Sequence, residues 1–584
     1  SLQNCPPEHR KFRPMIFSSR HPTLPIPPDA AMWNVVEQHA RNIGDKPAFI
    51  CGVTERTITY AKLIRKAKKL CAGLAANGLK KGDVVIVHSK AKKLCAGLAA
   101  NGLKKGDVVI VHSINCIEYP LVFLALNRLG AICSPSSPQF TAQELSDQIK
   151  AAQELSDQIK AAQAVAVISH KKLAAVATKA ATMNEIPSQQ IYTLGVAKDY
   201  SCLQTIENLI AMDLPNLIAT DLPFPDLPPI DPNQVVTLPF SSGTTGRPKG
   251  VELTARAMFA AGMIPAYTVE KMDYLLGMLP FFHIMATLIF HISLYMGMSM
   301  VVLPGFQPNT LLQTAEKYKI KRLHLAPPLI KFLAKHPLVD KYDLSATTQA
   351  SSGGAPLGKE LEQAVLRRLN VQVLQSYGMT ELAGVGTHSS IASHREGASG
   401  VLYPNVEMKV KCLDTDVDLP ANTHGELLFR GPTLMNGYFN NSKATREAFT
   451  EDGFLRTGDI GYIDDDGFVF IVDRLKELIK YKGHQVAPAE VEDVVNSHPQ
   501  VADSGCVRGH DLVTGEEIPK VFVVLEEGSS LTADDLMEYV ARKVTGYKRV
   551  REVEFVDSIP KSLSGKILRR VLQMRENEKM RARL

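Results

Sequence analysis

The chain reads as an α/β protein with a large N-terminal domain of several layered lobes and a small α+β C-terminal domain. Three observations carry this reading. Short β-branched strands alternate with amphipathic helical segments through most of the chain, the rhythm of βαβ layers. After about Val410 the pattern changes to short strands joined by glycine-rich turns. Beyond Lys476 a compact unit mixes both element types.

In order, strands are expected at Asp107 to His112, Ala164 to Ser169, Gln234 to Pro239, Met300 to Leu303, Arg322 to Ala326 and Gln372 to Ser376, with a helix at Leu357 to Leu369. Gly425 to Gly431 and Gly467 to Asp473 mark the strand-and-turn region. The final unit is expected to hold helices at Pro488 to Ser497 and Ala533 to Lys543, and strands at Ala502 to Arg508 and Pro519 to Val524. One stretch, Tyr274 to Ala315, lacks Asp, Glu, Lys and Arg and is long enough to span a membrane. Pro280, His283, His291, Gly297 and Pro304 interrupt it and no basic cluster flanks it, so a buried helix at Ala286 to Met296 and a buried strand at Ser299 to Leu303 fit better.

Three tandem duplications interrupt the pattern. Residues 66–89 recur unchanged at 90–113, residues 142–151 at 152–161, and residues 208–215 with one change at 216–223. Solenoids repeat in three or more diverged copies, so these pairs read as recent duplications or as a misassembled gene model. One copy of the helix-turn-strand unit is expected to be extruded or poorly packed.

With 66 Lys and Arg against 60 Asp and Glu, the net charge is only +6 over 584 residues. Residues 561–584 carry that excess, which argues against a nucleic-acid-binding face on the body of the protein. Nine scattered Cys without a C-x-x-C pair read as reduced thiols of an intracellular protein with no zinc site, and the polar, Pro-rich start lacks the apolar core of a secretory signal.

The sharpest chemical signal is Ser241-Ser242-Gly243-Thr244-Thr245-Gly246-Arg247-Pro248-Lys249-Gly250, directly after an expected strand. Hydroxyls, flexible glycine backbone and one Lys can wrap a polyphosphate. The spacing is not that of a Walker P-loop. A polar glycine turn is the bland alternative, which a ten-residue string of this kind disfavours.

At this point the sequence resembles the adenylate-forming superfamily, which includes acyl-CoA synthetases, 4-coumarate:CoA ligases, beetle luciferases and peptide-synthetase adenylation domains. Leu279-Pro280-Phe281-Phe282-His283, Ser352-Gly353-Gly354-Ala355-Pro356-Leu357 and Gln375-Ser376-Tyr377-Gly378-Met379-Thr380-Glu381 follow in the family's order. Gly425-Glu426-Leu427, Arg456-Thr457-Gly458-Asp459, Asp473-Arg474-Leu475-Lys476, Lys480-Tyr481-Lys482-Gly483-His484-Gln485-Val486 and Pro560-Lys561-Ser562-Leu563-Ser564-Gly565-Lys566 continue it. The match covers roughly Ala48 to Arg570. It implies layered α/β sheets plus a distorted β-barrel in an N-terminal AMP- and acyl-binding domain (residues 1–473), a hinge at 474–476 and a mobile C-terminal lid (477–584).

The chemistry implied is a carboxylate displacing pyrophosphate from ATP, followed by attack of coenzyme A on the acyl-AMP. Such a step needs positioning and cations more than covalent help. Tyr377 offers a ring face to adenine, Thr380 a donor to the α-phosphate, and Glu381, with Thr244, ligands for Mg²⁺. Asp459 suits the ribose hydroxyls, and Arg474 the same sugar or the phosphate. Their bland readings are a core aromatic, a helix-start Glu and a Gly-Asp turn. By resemblance, Ser241 to Gly246 and Lys249 line the phosphates, and Gly353, Gly354, Ala355, Pro356, Gln375, Ser376, Gly378 and Met379 the nucleotide and acyl walls. Lys566 is implied as the adenylation lysine and Lys476 as the hinge. Lys480, Lys482, Gly483 and Gln485 are implied to arrive for the thiol step.

A lone His in an apolar segment is usually a satisfied core residue; by resemblance His283 closes the acyl pocket. That pocket is expected to be lined by His283, Ile284, Met285, Gly353, Gly354, Tyr377, Gly378, Met379 and Val385 and to be largely uncharged, which suits a fatty or arylpropenoic acid. Ala582-Arg583-Leu584 follows the small-basic-Leu pattern of a peroxisomal address read by an import receptor; otherwise the protein is expected in the cytoplasm. An acyl-CoA synthetase with ATP, Mg²⁺ and coenzyme A is the leading reading. A luciferase-like oxygenase and a catalytically impaired acyl-binding homologue are the alternatives.

Overall fold

In the computed structural model the described residues are 15–76, 108–139, 141–143, 145–146, 148, 167–170, 173–184, 191–194, 204–205, 226–241, 249–355, 357–482, 484–511, 516–561 and 566–583. The mixed α/β architecture expected from the sequence is present. A nine-stranded sheet runs Phe240–Ser241, Lys249–Thr254, Val235–Thr237, Ile132–Ser136, Val108–His112, Val167–His170, Ile191–Leu194 and Gln204–Thr205, with Gly437–Tyr438 paired to Lys249–Thr254. From Val235–Thr237 to Gln204–Thr205 its neighbours are parallel. That is why Ile132–Ser136 is buried and why it and Val108–His112 need a crossover helix, Tyr119–Leu129, between them. Left-handed Gly130 ends that helix and returns the chain to the sheet.

A second parallel sheet is made by Arg322–Leu325, Gln349–Ser352 and Gln372–Tyr377, with antiparallel Thr387–His388 and Val401–Leu402 at one side. A third groups Tyr274–Gly277, Ser299–Val302, Pro47–Cys51 and Thr57–Thr59. The uncharged stretch from Tyr274 therefore supplies two buried strands and the helix Ile284–Met296. No helix among the described residues is long and apolar enough to cross a membrane.

The region after Val410 forms a curled five-stranded antiparallel sheet, Phe17–Ser18, Glu407–Lys411, Gly425–Arg430, Leu455–Ile463 and Val469–Arg474. Its two outer strands do not pair, so the barrel is half-closed. A turn at 475–477 leads into the last unit. Here the hairpin Ile479–Tyr481/His484–Val486, the helices Pro488–Asn496 and Ala533–Ala541, and the strands Val501–His510, Glu517–Leu525 and Glu552–Phe555 share their own apolar core.

The largest duplication resolves in a specific way. The helix Tyr60–Ala76 begins upstream of the first copy and runs into it, whereas the strand Val108–His112 belongs to the second copy. Flanking sequence decides the choice. Buried Tyr60, whose hydroxyl donates to the carbonyls of Met298 (2.8 Å) and Ser293 (3.3 Å), exists only before copy one. Asn115 exists only after copy two. The expectation of an extruded copy falls on residues 77–107, outside the described residues, as do residues 152–161 and both copies of the 208–223 repeat. Cys51, Cys71, Cys116, Cys133 and Cys506 are free thiols. Cys412 is disulfide-bonded, which corrects the expectation of reduced cysteine at that position.

Excising 24 residues so that one copy remains yields the same polypeptide whichever copy is cut, and keeps both the Tyr60 and Asn115 flanks. Thermal unfolding of the excised and full chains should give a Tm for the shorter chain no lower than that of the longer, with unchanged near-UV circular dichroism.

Candidate active site

His283 is the N-cap of the helix Ile284–Met296. Its Nδ1 accepts the Met285 N–H at 3.3 Å, occupying one of the orphan donors of the first turn. Burial, and then the nearby Lys566 cation, push its pKa down to about 4. The ring is therefore neutral at physiological pH, with Nδ1 engaged as acceptor and the Nε2 proton left to donate.

The segment before it is clamped by Asn115, a residue that sequence reasoning did not single out. The Asn115 amide Nδ2 donates to the carbonyls of Leu279 (2.8 Å) and Met278 (3.2 Å), while its Oδ1 accepts the Phe281 N–H at 2.8 Å. The end of the Val108–His112 strand thus fixes the backbone that carries His283.

The second group centres on Asp459, which is 8% exposed on the strand Leu455–Ile463. The Tyr377 hydroxyl donates to its Oδ2 at 2.6 Å, and Arg474 Nε lies 3.4 Å from Oδ1. Burial raises the Asp459 carboxyl, opposed by Arg474 and Tyr377 and by the more distant Lys566. Lys566 itself is pushed down to about 8, chiefly by burial and then by Arg474. The fields of three sequence-separated candidates, Asp459, Arg474 and Lys566, thus reach one another, and that of Lys566 also reaches His283. One face of the Tyr377 ring stacks on Phe429, with centroids 5.5 Å apart.

Glu381 forms the third group. It is 5% exposed, accepts the Tyr438 hydroxyl at 3.0 Å and has no ion-pair partner among the described residues. A buried carboxylate so placed fits a cation. Lys249 Nζ lies 4.7 Å from the centroid of the Tyr438 ring, and the buried Ser241 Oγ has no hydrogen-bond partner among the described residues. Ser242 to Gly246, Pro356 and Gly483 lie outside the described residues. Thr380 opens the single 3₁₀ turn that holds Glu381.

A cavity next to His283 is lined by Ile284, Met285, Gly353, Gly354, Ser376 and Gly378, as expected. Gly353 is needed there because a Cβ would come within 3.0 Å of Ser376 Oγ and 3.2 Å of Met285 Cε. Gln375 also reaches the cavity, and its amide donates to Glu362 Oε1 and to the Leu357 carbonyl. Ala355 is half-buried beyond this wall. Tyr377, Met379 and Val385 do not line the cavity; Val385 is fully buried in the core behind it. Arg322, His324 and His388, which the sequence did not single out, also face the space, and Arg322 adds one charge to a largely uncharged lining.

Lys480 and Gln485 are cross-strand partners on the hairpin of the last unit. Their described surroundings belong to that unit. Glu517 accepts the Lys480 N–H at 2.6 Å, Tyr547 stacks on His484, and Lys482 holds a left-handed φ of 47° with its ammonium over Tyr481. None of Lys480, Gln485 and Lys566 lines the cavity, but the field of Lys566 reaches His283 at its wall.

Comparison with known proteins places the chain among relatives. Residues 87–439 match the AMP-binding enzyme family model and residues 490–566 the AMP-binding enzyme C-terminal domain. 4-Coumarate–CoA ligase CCL1 of Humulus lupulus is 35% identical over 582 residues, covering 96% of each chain. 4-Coumarate–CoA ligase 3 of Arabidopsis thaliana is 35% identical over 97% of this chain and 95% of its own. Among solved structures, the anthranilate CoA ligase AuaEII in complex with anthranoyl-AMP superposes with a TM-score of 0.79 at 22% identity, over 96% of this chain and 99% of its own. The o-succinylbenzoate CoA synthetase of Bacillus subtilis with its acyl-adenylate does so at 0.74 and 23%, over 94% and 99%. These superpositions share the fold.

The Asn115 clamp is testable by itself. Asn115→Ala should destabilise the fold by about 1–3 kcal/mol in urea unfolding, the cost of leaving buried backbone groups unpaired. Asn115→Asp, which turns an oxygen toward those carbonyls, should cost more.

Proposed function

The chain belongs to the AMP-binding enzyme family, and we propose that it is an AMP-forming acid–CoA ligase whose adenylation lysine is Lys566. The acid oxygen attacks the α-phosphorus of ATP, the bond to the β-phosphate oxygen breaks, and pyrophosphate leaves. The sulfur of coenzyme A then attacks the acyl carbon, gives up its proton, and AMP leaves. What supports this reading is that Lys566, from the C-terminal unit, lies close enough for its field to reach Asp459 and His283, beside the Asp459–Arg474 pair at 3.4 Å.

In the first step Lys566 holds the incoming carboxylate and the α-phosphate together, and the neutral His283 keeps its Nε2 proton for the acyl side. Asp459 and Arg474 hold the ribose, with Tyr377 beside the adenine and Thr380 on the α-phosphate. Glu381, with Thr244, would hold Mg²⁺, which supplies charge neutralisation between phosphate oxygens. Ser241 to Gly246 and Lys249 cradle the leaving phosphates. For the thiol step, rotation about Lys476 withdraws Lys566 and presents Lys480, Lys482, Gly483 and Gln485. The domain boundary proposed is therefore the 474–476 hinge. The 4-coumarate ligases among its relatives support arylpropenoic acids as candidates beside fatty acids, and CoA-dependent AMP release across both series tests the reading.

Three outcomes are expected. Lys566→Ala should lower acyl-AMP formation about 10²–10³-fold and leave thiolysis of supplied acyl-AMP nearly intact. Because the Lys566 pKa is lowered to about 8, the cation is present below that pH and lost above it. In the wild type, kcat/KM for adenylation should then fall about tenfold per pH unit on the alkaline side, and Lys566→Arg should move that limb upward. Lys476→Pro, which fixes φ near −65°, should spare adenylation and slow the thiol step by orders of magnitude, as single-turnover assays of each half-reaction would read.

A further inference from the structure

One wall of the cavity is a sheet face whose chemistry changes with depth. In the parallel strands, Arg322 pairs with Gln349, His324 with Ser351, and Ser351 with Leu374. Side chains alternate between faces, so Arg322, His324, Ser351, Gly353, Leu374 and Ser376 share the cavity side. Leu323, Leu325, Ala350 and Val373 share the opposite, apolar side. Gly353 and Ser376 stand at the end near His283. At about 3.3 Å per residue, His324 lies ~7 Å and the Arg322 backbone ~13 Å deeper along the strands.

Arg322 is 7% exposed and has no carboxylate partner among the described residues. Its Nε donates to the Gln349 Oε1 at 2.7 Å, as does Nη2, and that neutral amide leaves the charge uncompensated. Glu270, the acid whose field reaches it, is already 3.7 Å from Lys321. Around the guanidinium stand further groups with donors to spare. His324 Nδ1 and Ser389 Oγ are buried without hydrogen-bond partners among the described residues. His388 contacts His21 (Nε2 to Nε2, 3.1 Å) and stacks on Tyr403. Burial first, and then Arg322, holds His324 down at about 3; burial, followed by His21, Arg20 and Arg322, does the same to His388, so both are neutral and add no charge of their own. Buried charges are ordinarily paired, and here the described protein supplies no anion while an open cavity adjoins.

Resting on the ligase reading above, we propose that Arg322, with His324, His388 and Ser389, forms a distal anion subsite, and that the enzyme's preferred acid carries a second carboxylate on the order of 7–13 Å from the reacting one. The reacting carboxylate lies at the His283 end, and the second one meets the guanidinium at the Arg322 end. Specificity then comes from matching a charge that is otherwise buried unpaired.

The test uses the full chain and two matched sets: 4-methyl-, 4-hydroxy- and 4-carboxycinnamic acid, and octanoic against octanedioic acid. CoA-dependent AMP release should give a kcat/KM at least tenfold higher for each diacid than for its monoacid. Arg322→Met should collapse that ratio at least tenfold, Arg322→Gln should do the same while keeping a group able to bond Gln349, and Arg322→Lys should retain part of it. Thermal shift with the same acids gives a second readout, with a diacid-specific rise in Tm lost in both uncharged variants. A preference for the methyl or hydroxyl compound, or a diacid preference unmoved by either uncharged variant, overturns the proposal; the hydroxyl outcome assigns the pocket to a neutral phenol instead. If no acid yields AMP, the ligase reading fails, and the thermal-shift arm alone then decides for or against the subsite.

Discussion

Burying Asp459 is the constraint around which the site is organised. A carboxylate withdrawn from water needs donors and a cation, and this one draws them from separated parts of the chain. Tyr377 comes from the end of a parallel strand, Arg474 from the last strand of the curled sheet, and the field of Lys566 from the C-terminal unit. The same contacts place an aromatic ring, two acceptor oxygens and two cations within one small volume. That combination suits the nucleotide sugar and α-phosphate proposed for it. Moving Lys566 away would weaken the compensation of Asp459, so the position of the small unit and the electrostatics of the large one are coupled.

A second, mechanical constraint acts at the other end of the cavity. Asn115 bonds the backbone at 278–281 and so sets where the helix Ile284–Met296 begins, and the first group of that helix is the imidazole that caps it. Capping with histidine serves two ends at once: it satisfies an amide and fixes which ring nitrogen keeps the proton. Removal of the clamp would therefore alter both the position and the protonation geometry of His283.

Much of this was legible in the sequence, for identifiable reasons. Strands such as Gln372–Tyr377 announce themselves by β-branching and alternation, and Tyr377, Glu381, Asp459 and Lys566 sit in strings whose order along the chain is informative. Arg322-Leu323-His324-Leu325 displayed its alternation equally well, but a polar stripe on a strand reads as a solvated face. Only the fold reveals that the stripe faces an internal cavity. Asn115 reads as an ordinary turn residue until the carbonyls it meets, more than 160 positions later in sequence, are brought to it. The barrel inferred by resemblance is an open sheet because its edge strands are separated by three others, a property of pairing that composition does not encode.

The mixed use of the 24-residue repeat has a genetic corollary. Ala67, Leu70 and Cys71 from the first copy and Val111 from the second pack into one core. Because the two copies are identical, an in-frame loss of either one rejoins the chain into the same sequence. A gene that sheds a copy by recombination between the repeats therefore keeps all four of these core side chains.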